Sequence, residues 1–323
     1  MLRLADSWIW DFWLADDGLR YHVFYLKASR ALGDPDRRHW HATIGHAISD
    51  DLCSWTEVVD ALAVGTSRAF DDMSTWTGSV VRGDSGLWHM FYTGVSRSEA
   101  GSKQRIGLAT SPDLHAWTKH DQQPLLESDP RWYEHDNERE WPDEAWRDPW
   151  VFRDPSEERW HMLITARAAA GPADDRGVIG HASSANLVDW DVGPPLSAPG
   201  SGFGHLEVPQ IEIVDGRAVL GFSCLAPQMA ARRRGMGGGG VWCVPAIDVR
   251  GPYSIRHAVP ISDDSLYSGR LVSDRSGRWA MLAFRNVRRA ATGGALFVGE
   301  LSEPMSVSWN SAGTALDVTS ATS

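Results

Sequence analysis

One short strand pattern recurs five times along the 323 residues, and no other feature narrows the possible folds as far. The copies are Tyr21-His22-Val23-Phe24-Tyr25-Leu26, Trp88-His89-Met90-Phe91-Tyr92-Thr93, Trp160-His161-Met162-Leu163-Ile164-Thr165, Arg217-Ala218-Val219-Leu220-Gly221-Phe222 and Trp279-Ala280-Met281-Leu282-Ala283-Phe284. A turn signal precedes each one (Asp17-Gly18, Asp84-Ser85-Gly86, Asp154-Pro155-Ser156, Asp215-Gly216 and Ser276-Gly277), so every repeat reads as a hairpin. A further strand follows after a variable loop. In the first three repeats it runs into a Ser-x-x-Leu-x-x-Trp tail, which predicts a turn and an outer strand whose Trp55, Trp117 or Trp190 packs on the neighbouring unit. With Phe24, Phe91, Leu163, Leu220 and Leu282 equivalent, the period is 57 to 72 residues, enough for four strands and their loops. Units of that size set around an axis protect their sheet edges as a β-propeller. No amphipathic helix of useful length supports a helical solenoid. The expected fold is all-β: one five-bladed propeller of four-stranded antiparallel blades over residues 1–323.

About ten to twelve residues before each copy lies another short apolar run, expected to be the first strand of each blade, lining the channel. Three of the five open on a carboxylate: Asp11, Asp148 and Glu207. Residues at one position in successive blades sit at one height around the axis, so the three acids are expected to converge at one mouth of the channel. Crowded carboxyls drive their pKa values apart, leaving one protonated as an acid while another stays ionised. That is the requirement of glycoside hydrolysis, by retention when the two acids are close or by inversion when water fits between them.

Composition removes the main competitors. A net charge of −11 opposes binding to a phosphate backbone, and Arg232-Arg233-Arg234 is too short a basic run to change that, so no nucleic-acid partner is expected. No apolar run approaches the roughly 18 residues of a membrane helix, and none is expected. Cys53, Cys224 and Cys243 are scattered without paired spacing and read as small buried hydrophobes. No metal or other cofactor is expected. The residues before Trp8 carry no secretion pattern, which predicts a cytoplasmic location. Among 17 Trp, most must fill a core, yet Trp faces also stack on sugar rings.

The residues around the acids resemble a known clan. Trp8-Ile9-Trp10-Asp11-Phe12-Trp13-Leu14 is similar to the Trp-Asp-x-Trp-Pro-Leu nucleophile segment of levansucrases, and more loosely to the Trp-x-Asn-Asp-Pro-Asn segment of invertases and inulinases. Arg147-Asp148-Pro149 matches the Arg-Asp-Pro motif of both, and Glu207-Val208-Pro209 resembles the invertase Glu-Cys-Pro motif. Trp76-Thr77-Gly78-Ser79 and Phe91-Tyr92-Thr93-Gly94 resemble two further invertase segments. The departures are Trp10 in place of Asn, Val208 in place of Cys, and no room after the fifth repeat for the β-sandwich that follows the invertase propeller.

The resemblance, to glycoside hydrolase families 32 and 68, implies a retaining β-fructofuranosidase acting on sucrose or fructo-oligosaccharides. Asp11 is then the nucleophile, Asp148 the transition-state stabiliser and Glu207 the acid/base. The substrate-binding candidates are Trp10, Trp13, Trp76, Arg147 and Tyr267. The Asp- and Glu-rich loop from Trp132 to Trp146 is expected to border the site. The same acids serve a fructosyltransferase of the levansucrase type, and an inverting arabinofuranosidase or xylosidase shares the propeller. A non-catalytic sugar-binding propeller would be expected to have lost an acid, and all three are present.

Overall fold

The computed structural model describes residues 1–135, 141–154, 156–235, 238–289 and 295–320. Pro155 of the third turn signal, residues 136–140 of the acidic loop and residues 236–237 of the glycine-rich stretch lie outside the described residues.

The strands form five antiparallel sheets in chain order. Blade I holds β1 (Ser7–Asp16), β2 (Tyr21–Ser29), β3 (Thr43–Ser49) and β4 (Thr56–Glu57). Blade II holds β5 (Ser74–Arg82), β6 (Trp88–Val95), β7 (Gln104–Ser111) and β8 (Thr118–Lys119). Blade III holds β9 (Trp146–Arg153), β10 (Trp160–Arg167), β11 (Gly177–Ser184) and β12 (Trp190–Gly193). Blade IV holds β13 (Glu207–Val214), β14 (Arg217–Cys224), β15 (Gly240–Pro245) and β16 (Val259–Pro260). Blade V keeps the four-strand order with its third position divided between two segments: β17 (Leu266–Ser273), β18 (Trp279–Arg289), β19 (Ala295–Leu301), β20 (Met305–Trp309) and β21 (Leu316–Ser320). Here β19 and β20 share the third position, both pairing with the long β18. The break between them contains Pro304, which has no N–H for a ladder. Ser302 bridges it, its N–H donating to the Ala283 carbonyl and its Oγ accepting from the Ala283 N–H.

The recurrent strand is apolar at nearly every position because each blade is covered on both faces. Phe24 and Leu26 of β2 face blade II, with Met90 and Tyr92, whereas Val23 and Tyr25 face blade V, with Leu282 and Leu301. Phe91 of blade II turns the other way, toward Met162 and Ile164 of blade III. The remaining junctions are filled by Leu163, Ile179, Phe222 and Trp242, and by Val214, Val241, Met281 and Met305. The Ser-x-x-Leu-x-x-Trp tail behaves alike three times. Leu52, Leu114 and Leu187 take left-handed φ values of 64°, 66° and 67°, and their carbonyls accept the indole N–H of Trp55, Trp117 and Trp190. Trp117 then meets Phe24 of blade I edge-on, and Trp190 meets Phe91 of blade II, each sealing the preceding blade. Cys224 and Cys243 are buried as expected, but Cys53 is exposed, because it lies in the first of these turns.

Candidate active site

A β-bulge at one position of all five inner strands builds the site. Each inner strand there carries one residue more than the second strand it pairs with: Asp11 in β1 and Thr77 in β5 fall between adjacent partners, while Asp148-Pro149 in β9, Val208-Pro209 in β13 and Ser268-Gly269 in β17 face a single residue. A bulge re-aims side chains and ends regular pairing, which suits a channel mouth. In blades III to V it places Asp148, Val208 and Ser268 at φ of 58°, 53° and 51°, strained values for residues with a Cβ.

This register corrects one expectation. Asp11 and Asp148 share the bulge with Thr77 and Ser268, but Glu207 is one step earlier, at the position of Trp10, Trp76, Arg147 and Tyr267. The acids therefore come together from two adjacent tiers rather than one. The position beyond the bulge turns sideways to the next blade: Ser79 Oγ accepts from Val151 N–H, and the Gln210 side chain bonds both backbone groups of Leu271. Trp13 lies on this outward tier, stacked on Phe24 and 0% exposed, so it belongs to the core between blades I and II and not to a sugar pocket.

Consecutive residues of blade V hold two of the acids. Tyr267 OH donates to Glu207 Oε2, and Ser268 Oγ donates to Asp11 Oδ1. Thr77 Oγ1 donates to the other Asp11 oxygen at 3.0 Å. Asp148 Oδ2 accepts from Thr165 Oγ1 at 2.8 Å and from the N–H of Val208, the neighbour of Glu207, at 3.1 Å. Arg147 spends its four Nη hydrogens on protein: Nη1 on Gln104 Oε1 at 2.8 Å and Asp143 Oδ2 at 3.3 Å, Nη2 on Glu207 Oε1 at 2.7 Å and His205 Nδ1 at 2.9 Å. Since a guanidinium only donates, His205 Nδ1 is the acceptor and its ring is the neutral tautomer with hydrogen on Nε2.

The electrostatics separate the acids. Burial, then the charges of Asp148 and Glu207, push Asp11 up to about 6 against the Ser268 and Thr77 hydrogen bonds. Asp148 is also raised, by burial first, with Arg147 opposing. Burial acts to raise Glu207 too, but positive charge at His205 and Arg147 and the Tyr267 hydroxyl bring it down to about 2. Of these, Arg147 and Tyr267 carry the effect at neutral pH, because burial lowers the His205 pKa and leaves that ring uncharged. Below about pH 6 the result is a protonated Asp11 beside an ionised Glu207, and above it both are ionised.

Around the acids, Trp10 is 1% exposed and forms a backing wall, edge-on to His39 and beneath the Arg38 guanidinium. Trp76 is half-buried, with its indole N–H on the His39 carbonyl at 2.7 Å. From the described part of the acidic loop, Trp141 lies over Arg167 at 4.0 Å and meets His205 edge-on at 5.4 Å, while Asp143 binds Arg147. The loop thus borders the site as expected. Arg38, His39, His205, Ser268, Thr77, Gln104 and Arg270 were not singled out by sequence. The run Asp34-Pro35-Asp36-Arg37-Arg38-His39-Trp40-His41, dense in charge and rings between two strands, was the signal available for the first two.

One trio among the described residues, Asp154, Glu157 and His161, brings possible metal-ligand atoms within 4.8 Å of one another, where the sequence predicts no metal. It lies at the β9–β10 turn, the end of β9 remote from Asp148, and Arg250 Nε already binds Asp154 Oδ2 at 2.7 Å. A cavity of about 1670 Å³ lies between the start of blade I and blade V and contains none of the three acids, so chemistry rather than size marks the site. No helix among the described residues is long and apolar enough to cross a membrane.

A five-bladed propeller whose inner strands gather three carboxylates in one hydrogen-bonded cluster defines a class, the propeller glycoside hydrolases. Within that class the chain belongs to glycosyl hydrolase family 32: the Glycosyl hydrolases family 32 N-terminal domain matches residues 14–237. It is 31% identical over 195 residues to an insoluble-isoenzyme β-fructofuranosidase, CWINV5, of Arabidopsis thaliana, covering 58% of this chain and 30% of that protein. A second Arabidopsis isoenzyme, CWINV6, is 26% identical over 195 residues, covering 58% and 32%. The chain thus spans about a third of the length of the curated relatives it matches. Its fold is that of the inulosucrase from Halalkalicoccus jeotgali bound to kestose (TM-score 0.78, 21% identity, 99% and 91% of the two chains). It is also that of the catalytic domain of a Microbacterium saccharophilum K-1 β-fructofuranosidase (TM-score 0.74, 18% identity, 97% and 81%).

Proposed function

We propose that this propeller cleaves β-fructofuranosidic bonds with retention of configuration. The observation that carries the reading is the opposed pair, Asp11 held by Ser268 and Thr77 and Glu207 held by Arg147 and Tyr267, in a site lined by Trp76 and His39. The relatives it resembles, a β-fructofuranosidase in sequence and an inulosucrase bound to kestose in fold, support that reading. In the first step an Asp11 oxygen bonds the anomeric carbon as the bond to the leaving oxygen breaks, and Glu207 gives that oxygen its proton. Asp148 stabilises the positive charge that develops on the ring. Water then attacks the same carbon, its proton passes to Glu207, and Asp11 departs as carboxylate.

Transfer to a sugar instead of water uses the same steps, and the inulosucrase fold, covered over 91% of its length, keeps that outcome in view. The test is product analysis on sucrose, inulin-type and levan-type oligosaccharides, with arabinosides and xylosides as controls. Release of fructose with the β configuration first formed supports the proposal. Release of arabinose or xylose, or an inverted first product, overturns it.

A further inference from the structure

Arg270 occupies the outward tier of blade V, where other blades place Trp13, Ser79, Trp150 and Gln210. It is 1% exposed, and its side chain reaches in two directions. Nε donates to the carbonyl of Phe12, next to Asp11, at 3.1 Å, which ties blade V to blade I. Nη1 donates to the carbonyls of Pro209 at 3.0 Å and Val208 at 3.5 Å, next to Glu207 in blade IV. The guanidinium also lies over the ring of Trp150, two residues past Asp148, at 5.0 Å. One cation therefore touches a residue near each acid, and it is buried where an uncompensated charge is costly.

We propose that Arg270 is a positioning residue for the acid cluster, closing the ring of inner strands between blades IV, V and I while its charge balances Asp11 and Asp148. This rests on the proposed fructosidase reading for its effect on turnover. Burial lowers its pKa to about 10, opposed by Asp148, Asp11 and Glu212, so it remains a cation at neutral pH. Nη2 is buried and makes no hydrogen bond, leaving that end of the guanidinium to act through its field. The charged groups around it are Asp11 from β1, Asp148 from β9 and Glu212 from β13; those around Asp11 include Asp148, Glu207 and Arg38. A neighbouring opposite charge lowers a carboxyl pKa, so removing it should raise Asp11 and Asp148 further.

The experiment compares Arg270→Gln, which keeps a donor but loses the charge, with Arg270→Lys, which keeps the charge but loses the fork. In the pH profile of kcat/KM on sucrose, the limb where the acid pair loses its proton should move up by about one unit in Arg270→Gln and stay in place in Arg270→Lys. A folded Arg270→Gln with an unmoved limb, or equal shifts in both, overturns the proposal. A second arm needs no substrate. In chemical unfolding, the loss of folding equilibrium constant on Arg270→Gln should be about tenfold larger at pH 7 than at pH 4, where Asp11 is protonated. Failure to fold at both pH values, or an equal loss at both, counts against the charge role. A wild-type protein that cleaves no fructoside would sink the proposed function alone, since the unfolding arm would still decide on Arg270.

Discussion

Arg147 Nη2 donates to Glu207 Oε1 at 2.7 Å, and this contact, with Tyr267 on the other oxygen, keeps the carboxyl assigned as acid ionised in the free protein. Below about pH 6 the proton of the pair rests on Asp11, whose carboxyl is buried and crowded by Asp148. Attack requires the reverse arrangement with the same number of protons, so a proton must stand on Glu207 and not on Asp11 when the sugar is bound.

The first prediction follows from that count. The pair carries one proton only between about 2 and about 6, the values of Glu207 and Asp11, so kcat/KM should peak in that acid window. Above pH 6 it should fall by about tenfold per unit as the pair loses its proton. A profile on sucrose that stays level to pH 8 would show that the proton is held differently.

The roles of the two acids separate by leaving group. Asp11→Ala should abolish turnover of every fructoside, because no covalent intermediate forms. Glu207→Ala should keep part of the first step on a substrate whose leaving group needs no proton. Azide should then rescue it with a product of retained configuration, having inverted the centre a second time. An inverted azide product from Glu207→Ala, or equal loss on all leaving groups, requires the assignments to be exchanged.

Removing the Asp11 charge should stabilise the fold. Its folded pKa lies above the unfolded value of 3.8, so its contribution is fully present below about pH 4 and is lost as pH rises through about 6. Asp11→Asn, which stays neutral and keeps acceptors for Ser268 or Thr77, should match wild type at pH 4. At pH 7 it should exceed it by about 2 kcal/mol in denaturant unfolding. A variant less stable at pH 7 than at pH 4 relative to wild type would contradict the buried-charge argument.

Two tryptophans near the acids should respond differently to truncation. Trp13→Ala opens the core between blades I and II and should cost about 3–5 kcal/mol of stability, with KM little changed where the protein stays folded. Trp76→Ala removes a half-buried ring beside His39 and should raise KM for sucrose by about tenfold at a smaller stability cost. The comparison is read from unfolding and steady-state kinetics on the same preparations, and a KM effect confined to Trp13 would reverse the two assignments.

The five-bladed architecture was legible in the sequence because each blade buries both faces of a short strand and ends in a turn, so the same apolar run and the same Gly or Asp had to recur. The Ser-x-x-Leu-x-x-Trp tails were legible for the same reason, since one left-handed Leu and one indole N–H solve the same local problem three times. Asp11, Asp148 and Glu207 stood out by their repeat phase, but their heights did not. A bulge adds a residue without altering the apolar pattern, and only strand pairing shows that Glu207 stands level with Arg147 and Tyr267 instead of with Asp11. Trp13 and Trp10 are three residues apart in one segment and share one buried cluster, yet across the intervening bulge Trp13 stacks on Phe24 while Trp10 meets His39 and Arg38. The split third strand of blade V, the neutral tautomer of His205 and the reach of Arg270 across three blades depend on partners up to 258 residues away in sequence. Such pairings are set by closing the ring, which no local stretch of sequence encodes.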